Sequence, residues 1–159
     1  MSVPGRIVQL SVSPGGLPKH GVATARAGTV GLEGDAHRNT RHHGGPERAL
    51  CLFAMEAIRG LQGEGHRVAP GVLGENVTVE GVDWSAVRPG RRLRLGAEVV
   101  VEISRFTSPC ANITAAFRDG DFSRVSETRH PGWSRVYARV VTGGSLNTGD
   151  AVLLLGDGV

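Results

Sequence analysis

Lysine is all but missing from this chain: Lys19 is the only one, and every other basic residue is arginine. A single retained lysine is either chance or a position where arginine's planar fork does not serve. Aromatic residues are also scarce, at 4%. Together with 24 glycines, that argues against a helical bundle and for a turn-rich, mainly β fold. There is no aromatic RNA-binding motif and no basic recognition helix with base-reading spacing, so nucleic acid is not an expected partner. Two cysteines, Cys51 and Cys110, make neither a disulfide framework nor a tetrahedral zinc site. No apolar run approaches membrane-spanning length, and the first residues lack the apolar stretch of a signal peptide. The expectation is a cytoplasmic, reducing setting with no membrane partner.

What is present fits one domain of 159 residues, with its core over about 5–155. A net charge of +3 suits anionic partners, although a solvated arginine surface is the plainer reading. Alternating polar and apolar residues predict a strand over Arg6–Val12, a turn followed by a strand within Arg88–Gly96, and a strand over Glu98–Ser104, and two further strands, Ser134–Thr142 and Asp150–Leu155, close the chain. A short strand is expected over Ala23–Val30. The continuous apolar run Arg48–Phe53 predicts a central strand. Helices are predicted over Ala54–Gln62, ended by Gly63, and over Pro109–Phe117, with a further short one near Phe122–Thr128. The segment Gly143–Gly149 reads as a tight turn. Seven to nine strands with a few short inserted α-helices make a β-barrel-like architecture the simplest solution. The polar region Arg118–Trp133 could serve as a lid.

Three places could carry chemistry. The first is the loop Gly31–Arg48, which holds three of the six histidines. Asp35, His37, His42, His43 and Glu47 are all metal-ligand types, but no recognised metal spacing is present. Imidazoles, arginines and glycine-exposed N–H groups could instead hold an anion, or tie a long loop together by hydrogen bonds. The second is Cys110, at the first turn of a predicted helix after Ser108-Pro109. Its free N–H groups would favour the thiolate, which is both nucleophile and soft-metal ligand. The alternative is an inert buried thiol, the reading preferred for Cys51. The third is Glu75-Asn76, entering an apolar strand and therefore in need of partners, either local backbone or a polar heterocycle. Arg135, Tyr137 and Arg139 alternate with apolar residues on one strand face.

Taken in order, these segments resemble the MOSC domain, named for the C-terminal part of molybdenum-cofactor sulfurases. The motifs that carry the likeness are Gly-Gly-Leu-Pro-Lys (15–19), Gly-Leu-Glu-Gly-Asp-Ala-His (31–37) and His-His-Gly-Gly-Pro-Glu-Arg-Ala-Leu (42–50). Gly-Glu-Asn (74–76), Ser-Pro-Cys (108–110) and the Tyr-Ala-Arg-Val (137–140) to Gly-Asp (149–150) ending follow. The resemblance is to stand-alone bacterial members. It implies a β-barrel domain that binds molybdenum cofactor (molybdopterin), with Cys110 as the protein ligand to molybdenum and the catalytic residue. It also implies Lys19, His37, His42, Arg48 and Arg139 around the pterin phosphate, with Asp35 and His43 from the same loop. Glu75 and Asn76 would bond the pterin. The implied activity is reduction of small N-hydroxylated compounds, with electrons from an external redox protein. The alternative is a non-catalytic carrier of the cofactor, or of sulfur as a Cys110 persulfide. Pyridoxal phosphate, bound by a separate domain in cofactor sulfurases, is not expected here.

Overall fold

The computed structural model describes residues 3–36 and 45–157. Eleven strands lie among them: β1 (Gly5–Val12), β2 (His20–Val22), β3 (Thr24–Gly28), β4 (Gly31–Leu32), β5 (Leu50–Ala54), β6 (Val77–Glu80), β7 (Arg91–Leu95), β8 (Val99–Phe106), β9 (Val136–Thr142), β10 (Gly144–Asn147) and β11 (Ala151–Asp157). One α-helix, α1 (Met55–Gly63), follows β5 directly. The ladder runs β11-β7-β8-β9-β5-β6-β1 and returns to β11. Gly5 opposite Val152 and Arg6 opposite Ala151 close this seven-stranded ring. Closure leaves the ring without the unpaired edges that invite aggregation. Strand β2 flanks β1, and β10-β3-β4 form a separate small sheet.

The barrel is filled because successive strand residues point to opposite faces. Leu93 and Leu95, Val101 and Ile103, Ala138 and Val140, and Leu50 and Leu52 turn inward and are buried in one cluster with Ile7 and Val79. A second cluster lies outside the wall. There Phe53 of β5 meets Ala57, Ile58 and Leu61 of α1, together with Leu73, Ile113, Phe117 and Val125. Strand β5 is therefore buried on both faces, which accounts for its unbroken apolar run. It pairs in parallel with β6, and α1 belongs to the crossover between them.

Several expectations are corrected. The Pro109–Phe117 helix is a stretch of 3₁₀ turns over Ala111–Ala116, with Cys110 at the extended position before it. The Phe122–Thr128 helix is likewise 3₁₀, over Phe122–Val125. Gly63 remains helical; the chain leaves α1 two residues later, where Gly65 takes φ +92°, a conformation glycine adopts without strain. The turn Gly143–Gly149 contains β10, whose Leu146 is fully buried. Arg48, expected to open the Arg48–Phe53 strand, instead closes a 3₁₀ turn over Pro46–Arg48 before β5. Region 118–133 is pinned by Phe122 and Val125 against the outer cluster.

Candidate functional site

Strand register builds a site on the outer wall of the barrel. On β9, Tyr137 faces outward between inward-facing Val136 and Ala138, and lies opposite Cys51 of β5 and Arg105 of β8. The same parity puts Cys51 outside the barrel interior. Past the end of β8, Thr107 donates its backbone N–H to the Arg135 carbonyl at 3.1 Å, and Cys110 follows three residues later. That thiol is free and exposed, whereas Cys51 is free and buried. The Arg48 guanidinium sits over the Tyr137 ring, 5.7 Å from its centre, within cation–π range.

The electrostatics tie these groups together. Burial raises the Tyr137 phenol to about 12, the Cys51 thiol adds to this, and Arg135 and Arg48 oppose it. Cys110 also acts on this phenol, so both thiols lie within electrostatic reach of the chain's one tyrosine. Burial lifts the Cys51 thiol to about 11, against Arg135 and Lys19 and with Glu75 and Asp35. A thiol held so far above neutral pH stays protonated and is a poor nucleophile.

Behind Cys51 is a buried polar layer. Lys19 Nζ donates to Asp35 Oδ2 at 2.7 Å, with the two side chains only 9% and 1% exposed. Asp35 also accepts from the Ser13 backbone N–H at 3.0 Å and from Asn76 Nδ2 at 2.9 Å. Asn76 is a structural clamp. Its Oδ1 accepts from Cys51 N at 3.0 Å, and its Nδ2 also donates to the Ser11 carbonyl at 3.2 Å. The side-chain amide thus joins β5, β1 and the loop of Asp35.

Glu75 is fully buried. Its Oε2 accepts from Thr78 Oγ1 at 3.1 Å, while Oε1 has no partner. Burial pushes this carboxyl above its usual range, against backbone hydrogen bonds, the Thr78 hydroxyl and the Arg135 charge. Arg135 is buried too: Nη1 donates to the Leu73 carbonyl at 2.6 Å, and Nε has no partner. Both open atoms belong to groups within electrostatic reach of each other and of Cys51. Buried polar atoms without partners are few in proteins and often mark a place for water or ligand.

The expected site residues therefore separate. Cys110, Arg48, Glu75, Asn76, Lys19 and Asp35 gather around Cys51 and Tyr137. Arg139 also faces outward but is held by Glu102, Nε to Oε2 at 3.2 Å. His37, His42 and His43 lie outside the described residues. Among the described residues, no group of three or more His, Cys, Asp or Glu could hold a metal ion, and no helix is long and apolar enough to cross a membrane. The alternation places Arg135 on the strand face of Tyr137, and Cys51 reads as a buried, inert thiol, which it is. Sequence reasoning missed that the two come together with Glu75, which shows only once the β5–β9 ladder is known.

The MOSC domain model matches residues 39–153. Protein YiiM of Escherichia coli (strain K12) is 31% identical over 109 residues, covering 65% of this chain and 48% of YiiM. The chain thus spans about half the length of that relative. A Gibberella moniliformis protein named "Reductase" is 28% identical over 131 residues, covering 79% of this chain and 23% of its own length. The crystal structure of YiiM from Geobacillus stearothermophilus superposes with a TM-score of 0.76 at 23% identity, over 96% of this chain and 75% of that one. It shares the fold.

Proposed function

Because the chain belongs to the MOSC domain family, we propose that it binds molybdenum cofactor through Cys110 and reduces small N-hydroxylated compounds. The observation that carries this reading is the contrast between the two thiols. Cys110 is exposed and within electrostatic reach of Tyr137, while Cys51 is buried and held protonated. A single accessible thiol suits a protein that offers one soft ligand to a metal held otherwise by its own cofactor. The relative named "Reductase" supports the reaction class.

The residues present suit such a group. The Cys110 sulfur would supply the protein ligand, and the Arg48 guanidinium an anion contact of the kind a phosphate needs. The unpartnered Glu75 Oε1 and Arg135 Nε would offer an acceptor or donor on the buried side. When bound, the cofactor supplies two-electron redox chemistry at molybdenum. The reaction R–NH–OH + 2e⁻ + 2H⁺ → R–NH₂ + H₂O breaks the N–O bond and consumes two protons. Electrons come from an external redox protein. The chain's own contribution is position and charge: Tyr137 and Arg48 form one wall of the site, and Asn76 holds the backbone of Cys51 beneath it.

The test is metal and pterin analysis of protein made in a cofactor-producing host. About one molybdenum per chain is expected, with loss of both metal and hydroxylamine reduction in Cys110→Ala. A Cys110→Ala protein that retains molybdenum would sink the ligand assignment. Wild-type protein that holds molybdenum but turns over with no reductant would instead favour the carrier reading.

A further inference from the structure

We propose that the outer face of β7, β8 and β9 is the docking surface for an acidic electron-carrier protein. The proposal rests on the reductase reading above, because such a reaction needs electrons delivered beside Cys110. The register places the patch. Inward-facing Leu93, Val101 and Val140 are buried, so the residues between them face out. Arg92 pairs with Glu102, and Glu102 with Arg139, in one row across the three strands. Arg94 lies in the row on one side of it, opposite Leu153 of β11. Arg105 lies in the row on the other side, opposite Tyr137. Across the register shift between Ile103 and Arg105, the patch thus reaches the wall of the candidate site.

Four guanidinium groups on this face meet one carboxylate. Glu102 is bridged by Arg92 at 3.0 Å and by Arg139 at 3.2 Å, so its charge is spent inside the row. Arg94 and Arg105 are exposed. The nearby Glu98 is turned to the Ser145 backbone N–H at 3.0 Å, and Glu47 is exposed on the 3₁₀ turn before β5. Val141 and Leu153 are exposed to 36% and 39%, and supply apolar surface among the arginines. Apolar residues with an arginine surround are a common composition for a protein interface.

The occupant follows from charge. A second copy of the chain would set arginine against arginine, which is unfavourable across a symmetric contact. Single-stranded nucleic acid is gripped by stacking on aromatic side chains, and Tyr137 is the one aromatic side chain facing outward from these rows. An acidic protein surface satisfies the guanidinium groups and is steered to them over a distance set by salt. One-electron carriers of the flavodoxin or plant-type ferredoxin class, used twice per turnover, meet the stoichiometry of the N–O reduction.

Calorimetric titration with an acidic flavodoxin and with an acidic [2Fe–2S] ferredoxin tests this. At least one probe is expected to bind at low salt and to weaken as salt rises. Arg94→Glu/Arg105→Glu should weaken that binding tenfold or more. The charge-matched control Arg26→Glu/Arg67→Glu, at two exposed positions, should change it twofold or less. In molybdenum-loaded protein, dithionite-driven turnover should survive Arg94→Glu, which lies opposite Leu153 and away from Tyr137, while carrier-driven turnover falls threefold or more. Equal loss in the two double variants, or no binding of either probe, overturns the proposal. So does tighter binding of a short DNA duplex that the same variant abolishes, or a wild-type dimer that this variant dissociates. Protein without molybdenum would sink the reductase reading but leave the binding arm to judge the surface.

Discussion

Lys19 and Asp35 form an ion pair of 2.7 Å in which neither side chain is more than a tenth exposed. The side chain of the chain's only lysine is therefore almost wholly covered. Its compact ammonium meets a single carboxylate oxygen, where arginine's fork would bring surplus donors. Removing one member of a buried pair leaves an uncompensated charge and costs about 3–5 kcal/mol. Lys19→Met should lose stability of that order by equilibrium urea unfolding, and Lys19→Arg should fail to restore it. Adding Asp35→Asn to Lys19→Met should recover part of the loss, since the amide keeps an acceptor for the Ser13 N–H. A Lys19→Met loss below about 0.5 kcal/mol would mean the pair behaves like an exposed one.

Glu75 gives a pH signature. Burial raises its folded-state pKa above the ordinary 4.5. The folded state then holds a proton that the unfolded chain has released. Stability tied to this group is intact below 4.5 and declines as pH rises through the folded pKa. Glu75→Gln imitates the protonated form and cannot ionise. Its stability relative to wild type should therefore increase from acidic to neutral pH, with little difference below 4.5. Paired denaturation curves across that range measure it. A difference that is constant with pH would show that Glu75 is ionised in the fold.

The two thiols should label in a fixed order. Cys110 is exposed, while Cys51 is 6% exposed and lifted to about 11. At neutral pH a disulfide reagent should modify one thiol per native chain, and peptide mapping should place it at Cys110. Cys51 should react only on unfolding. Native labelling of Cys51 at a comparable rate would remove the contrast on which the ligand assignment rests.

How far the sequence disclosed this arrangement depends on range. Alternation in Arg92-Leu93-Arg94-Leu95 fixed both strand and facing, because the period is local. Barrel closure through Gly5 and Val152 has no local trace, since it depends on the register of residues far apart. The strand β10 was hidden by Gly143-Gly144, which reads as turn chemistry, although Leu146 is buried. The segment Pro109–Phe117 reads as a helix in sequence, yet Thr114 competes for a backbone acceptor. Thr114 Oγ1 donates to the Ala111 carbonyl at 2.8 Å, and the turns stay 3₁₀. Cys110 is singled out by its motif, and its thiol is exposed. The face of Arg135 is legible from its alternation with Tyr137, but its burial is not, because its partner is the Leu73 carbonyl, 62 residues away.

Gly60 offers a case where two effects of known size oppose each other. It lies inside α1, where alanine is favoured over glycine by about 1 kcal/mol. A Cβ at this position would come within 2.7 Å of the Trp133 ring. That ring is fixed from its other contacts: Arg124 lies 4.0 Å from a ring centre and is itself held by Glu64 at 2.8 and 2.7 Å. Overpacking typically costs about 1–3 kcal/mol, so the clash should outweigh the propensity gain and Gly60→Ala should lower the unfolding midpoint. Arg124→Ala frees the indole to move. In that background Gly60→Ala should be neutral or stabilising, which makes the double-mutant coupling favourable. The Arg124–Glu64 bond also holds the Glu64 carboxyl below its usual range, so its contribution is present above pH 4.5 and fades as pH falls through the folded pKa. The coupling should shrink at low pH for the same reason. Additive effects of the two substitutions at neutral pH would show that Trp133 yields without help from Arg124.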